Sequence, residues 1–218
     1  MTIREECKTR FESLISNFID AGHIVSQSLW KEIETRYSEP HRAYHNLNHL
    51  YQMLGEFEKV KTRLEDSEMV LFALYYHDLI YNPNSKSNEE GSAKIAEERL
   101  SQLGIVKERI GICLRHILAT KSHRLGESYN PDTKYFLDMD LSILGSDEKL
   151  YLEYTKNIRK EYAIYSDDDY RKGRIQVLYH FIETTRLFQT DDFFDQYEMR
   201  SRHNLKTEIH SLQKGELF

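Results

Sequence analysis

Leu47, Leu50, Tyr51, Leu54 and Phe57 recur at three- and four-residue steps, which lays one apolar stripe along a helix. The same spacing links Phe11, Ile15, Phe18 and Ile19, and again Leu150, Tyr154, Ile158 and Tyr162. No segment sustains the strict alternation of a strand. The three prolines, in "SEPH", "YNPNSKSN" and "YNPDT", stand between periodic segments beside turn-forming residues and so punctuate helices. Residues 68 to 81 are apolar on nearly every side, so this helix is expected to run through the centre of the molecule. Asn88 is placed to cap the helix of "EEGSAKIAEERL", whose first-turn acids suit the helix dipole, and Gly104 is suited to end it. A last helix is expected from about Asp195, with the polar tail "QKGELF" fraying beyond it. The pattern predicts an all-α protein, a single compact helical bundle.

Composition narrows this picture. The 218 residues can enclose one sizeable core, and no stretch rich in Gly, Ser and Pro divides them, so one domain over 1–218 is expected. A formal charge of −6 gives no extended nucleic-acid surface, and any phosphate site must be local. The longest apolar run, Val70 to Tyr76, is too short to span a bilayer, and "MTIREECKTR" lacks the apolar core of a signal peptide. A cytoplasmic protein is therefore expected. Cys7 and Cys113, far apart and without metal-type spacing, read as reduced thiols.

Chemistry enters where polar residues interrupt the apolar pattern. In "LFALYYHDLIYNP", His77 and Asp78 stand side by side, where an unpaired charge would be costly to bury. Neighbours on a helix point about 100° apart, so both reach one point only if it lies between their directions, as a bound cation would. The alternative is a satisfied core histidine beside an aspartate that caps the helix end. In "RAYHNLNHLYQML", His45 and His49 are four apart and share a helix face, so either can turn towards a cavity. Asp138 and Asp140 diverge by about 200° on a helix, so only one can face a common site. Phe136, Leu137, Ile143 and Leu144 surround Asp140, which makes it the expected buried carboxylate, with a cation or a buried arginine as partner. Asp138, on a more mixed surface, is expected to cap, to bond a supporting histidine or to meet solvent.

The order of a histidine, an adjacent His-Asp pair and a later helical Asp resembles the HD-domain superfamily of metal-dependent phosphohydrolases. "YHNLNHL", "YYHDLIYNP", "NEEGSA", "ATKSH", "DMDLSILG", "IRKEYA" and "RSRHNL" occur in the order seen in a family of small bacterial predicted HD phosphohydrolases. This likeness covers residues from about 40 to 206. It implies a bundle of the HD-domain type with His49, His77, Asp78 and Asp140 as metal ligands, and it leaves His45 as a cavity or supporting residue. Two imidazoles and two carboxylates suit one divalent ion, whether Mn, Fe, Co, Ni, Zn or Mg.

The implied reaction is hydrolysis of a nucleotide or other small phosphate ester by metal-activated water. Arg42, Lys121 and His123 are candidates to offset charge on the phosphate, with the solvated surface as the plain alternative for Lys121. Glu89 is a candidate to orient the water or move a proton, or simply an acid in a helix's first turn. His116 and His123 raise a second metal, which ranks below a single ion because no further carboxylate cluster accompanies them. Arg159, Arg174 and Arg202 are expected to hold helices together by ion pairs, with a phosphate role for Arg159 or Arg174 as the lesser reading. A nucleotide sensor without turnover is the next functional class, and an HD-like di-iron oxygenase the third.

Overall fold

The computed structural model describes residues 1–19, 24–125 and 130–217, and among them the regular structure is entirely helical. Phe218, the end of the expected frayed tail, lies outside the described residues. The helices are α1 (Ile3–Ile15), α2 (Ile24–Tyr37), α3 (Leu47–Val60), α4 (Ser67–Tyr76), α5 (Asn88–Gln102), α6 (Lys107–Ala119), α7 (Asp132–Leu141), α8 (Glu148–Glu161), α9 (Asp167–Ile182) and α10 (Asp191–Gln213). The chain forms two compact units, residues 1–137 and 138–218, and the division falls inside α7 rather than at a linker. Among the described residues no helix is long and apolar enough to cross a membrane.

In the first unit α4 is packed by α1, α3, α5 and α6, as its all-round apolar surface requires. Met69, Val70, Phe72, Ala73, Leu74, Tyr75 and Tyr76 are completely buried. Each large side chain among them contributes about 2 kcal/mol of transfer free energy. Asp66 caps this helix through Met69 N–H and is itself gripped by Arg109 at 2.6 and 2.8 Å. The helix stops at Tyr76, five residues earlier than the apolar run suggests. Other partners take over the backbone there. Arg42 donates to the carbonyls of Asp78 and Leu79, and Ser92 Oγ accepts from Ile80 N–H at 3.0 Å.

Two further boundaries differ from the pattern. Helix α3 begins at Leu47 with Asn46 as its cap, so His45 precedes the helix and does not share a face with His49. Helix α5 begins at Asn88 itself, with Ser87 in the cap position, because the Asn88 amide is spent on the backbone of Asn82. Gly104, at φ +72°, ends the α5 region as expected. Both cysteines are free and buried, and burial pushes the Cys7 thiol up to about 12.

In the second unit α10 packs on α9 and on a short 3-10 turn, Ser142–Gly145. The approach at Gly145 is close: a β-carbon there would lie 2.7 Å from that of Tyr197, so only glycine fits. Helix α10 starts at Asp191, four residues before the expected Asp195, because Thr190 is anchored as its cap by Asp138.

Candidate metal centre

His49, His77 and Asp78 come together at the start of α3 and the end of α4. Nε2 of His49 lies 3.2 Å from Nε2 of His77, and Asp78 Oδ2 lies 3.1 Å from His77 Nε2 and 3.8 Å from His49 Nε2. These three atoms sit within 4.8 Å of one another. Both imidazoles are buried, whereas the Asp78 side chain keeps 19% of its exposure, so the carboxylate forms the open side of the cluster.

The tautomer follows from the backbone. His77 Nδ1 is 2.9 Å from the Leu74 carbonyl, which can only accept, so Nδ1 carries a proton, and Nε2, once its own proton is lost, presents a lone pair to the cluster. A carbonyl behind a ligating imidazole is a common way of aiming it at a metal. Burial alone would raise the Asp78 pKa, but His77, His45 and His49 together hold it well below the usual carboxylate range. An anionic oxygen and two imidazole nitrogens thus converge on one small region. A single proton can bridge only one pair of them, while a divalent cation satisfies all three, and the mixed nitrogen and oxygen set suits a borderline ion.

The ring of His45 stacks on Tyr81, centroids 4.3 Å apart, and meets His49 edge-on at 5.8 Å. It therefore borders the cluster from the loop before α3. Arg42 has a different place from the phosphate-facing one expected. Its side chain is fully buried and donates to Glu39 Oε2 at 3.1 Å, His45 O at 3.2 Å, Asp78 O at 2.6 Å and Leu79 O at 2.9 Å. Four of its five N–H groups are thereby engaged inside the protein. Lys121 is exposed, and its ammonium donates to Lys86 O at 2.8 Å and pairs with Glu90, which is the solvated-surface alternative. His123 is half-buried with φ +50°, one turn beyond α6, and Glu89 is half-buried in the first turn of α5.

The two later aspartates reverse their expected burial. Asp138 is completely buried, and it accepts Gln189 N–H at 2.7 Å, Thr190 N–H at 2.7 Å and the Thr190 hydroxyl at 2.7 Å. It caps, as one of its readings held, but from within the core. Asp140, in the second unit, is half-buried. Counting neighbours along one helix misses donors that arrive from fifty residues away. Burial pushes the Asp138 carboxyl up to about 6, although the three donors work against that rise.

Arg159 and Arg174 pair with Asp167 and Glu208 on other helices, as expected, whereas the Arg202 pair with Glu198 lies within α10. Sequence reasoning missed Ser92, a fully buried residue whose hydroxyl fixes the backbone of Ile80 just beyond the His-Asp pair. Its only signal was a small polar residue on an otherwise packed face of α5. No family model, curated protein or solved structure matches the chain.

Proposed function

We propose that the protein is a metal-dependent phosphohydrolase of the HD-domain type, acting on a nucleotide or other small phosphate ester. The observation that carries this reading is the convergence of His49 Nε2, His77 Nε2 and Asp78 Oδ2, with the His77 tautomer set by Leu74. A divalent ion held by His49, His77 and Asp78 would supply Lewis-acid chemistry for a phosphoryl oxygen and for activating water.

The chain's own residues then have separable tasks. His77 is held by Leu74 O so that its lone pair faces the cluster, and Asp78 stays ionised across the neutral range. His123 and Glu89 remain the candidates for contacting phosphate oxygens and for moving a proton from water. Lys121 serves that role only after leaving Glu90, which a phosphate could replace as its partner.

The test is metal analysis of freshly purified protein, combined with a screen of nucleotides and phosphate esters on the same sample and on Asp78→Ala. The reading expects about one divalent ion per chain, phosphate release from part of the panel, and loss of both in the variant. A metal-free protein that releases phosphate from nothing when Mn, Co, Zn or Mg is supplied would contradict it.

A further inference from the structure

The three converging residues, His49, His77 and Asp78, come from two separate segments, the first turn of α3 and the turn that follows α4. Helix packing sets their separation only to the tolerance of side-chain contacts, and a metal site demands more. Arg42 lies between the two. One of its terminal nitrogens donates to His45 O, just before the Asn46 cap of α3, and also to Asp78 O in the turn that carries the ligand carboxylate. The other donates to Leu79 O, and Nε is held by Glu39. Tyr37 and Tyr81 lie against the guanidinium at 5.1 and 5.4 Å, which fixes its plane.

We infer that Arg42 is the positioning residue of the metal centre: its fork latches the entry of α3 to the turn bearing Asp78 and so sets the spacing of the ligands. The inference rests on the metal-binding reading proposed above. Lysine cannot substitute, because its one ammonium is a point donor on a flexible stem, whereas these acceptors are spread over both arms of a planar fork. Groups that orient metal ligands typically change metal affinity by about 10–100-fold when removed.

The experiment is a cobalt(II) titration of metal-stripped protein, followed by the visible absorption of the bound ion, for wild type, Arg42→Lys and Arg109→Lys. Arg109 is the control: it forks onto Asp66 and Glu68 in the same unit, away from the cluster. Arg42→Lys is expected to weaken cobalt binding at least tenfold and to alter the absorption band, with the variant folded by circular dichroism. Arg109→Lys is expected to lower the melting temperature while leaving cobalt affinity within twofold of wild type. If Arg42→Lys does not fold, Glu39→Gln, which loosens the guanidinium without emptying its place, is expected to weaken cobalt at least threefold. Unchanged affinity in the folded variant, or equal weakening in Arg109→Lys, overturns the latch and leaves the metal centre standing. Wild-type protein that binds no cobalt overturns the metal centre and the latch together.

Discussion

Two polar clusters in this protein are buried in opposite ways. In the second unit Arg174 donates to Glu208 at 2.7 and 3.1 Å and to the Tyr154 hydroxyl at 3.3 Å, and Tyr151 donates to the same carboxylate. The Arg174 and Glu208 side chains are 7% and 1% exposed, and each charge has its opposite. Burial would lower the Arg174 pKa, but Tyr154 and Glu208 hold it well above its ordinary value. In the first unit His49, His77 and Asp78 bring two imidazole nitrogens and a carboxylate oxygen to one region. A closed set of partners belongs to a cluster that holds helices together. A cluster that keeps one carboxylate partly exposed is the one for which ligand binding is proposed.

This contrast can be broken most forcefully at Glu208. Its replacement by alanine leaves the Arg174 charge buried without its carboxylate and should lower stability by about 3–5 kcal/mol, read as a shift in the urea midpoint. A loss below 1 kcal/mol would mean that the pair contributes little to holding α9 and α10.

A second sharpening comes from His116, buried on α6 with Nδ1 3.0 Å from the Thr133 hydroxyl. Burial, aided by the Arg115 charge, pushes its pKa down to about 4 from the model-compound value of 6.5. Below pH 6.5 the unfolded chain therefore takes up a proton that the folded chain refuses. Stability should fall as the pH drops from 6.5 towards 4, by up to about 3 kcal/mol from this group. Urea midpoints at pH 7 and pH 4.5 for wild type and His116→Gln measure it, and an equal slope in both proteins would contradict it.

At the proposed centre the expected pattern inverts. Asp78→Asn should abolish the rise in melting temperature that added metal gives the wild type. The smallest effect belongs to Lys121→Ala, which removes an exposed pair with Glu90 and should leave the urea midpoint unmoved.

The helical class, the central burial of α4 and the burial of His77 were legible in the sequence because each depends on local periodicity. The partner histidine was not legible from spacing, which left His45 and His49 equivalent. His49 came from the resemblance, and the cap at Asn46 gives the physical difference between them. What escaped were features built from distant partners: the end of α4 at Tyr76, the burial of Asp138 under residues 189 and 190, and the use of Arg42 as a backbone clamp. Each depends on a donor or acceptor about 35 or more residues away in the chain, and periodicity carries no record of such pairs.

The most direct measurement is anomalous diffraction from crystals of the protein grown with manganese or cobalt. The account predicts one strong peak about 2.1 Å from Nε2 of both His49 and His77, with an Asp78 oxygen also in its coordination sphere. Crystals at full metal concentration that show no peak there, with the two Nε2 atoms still 3.2 Å apart, would contradict it.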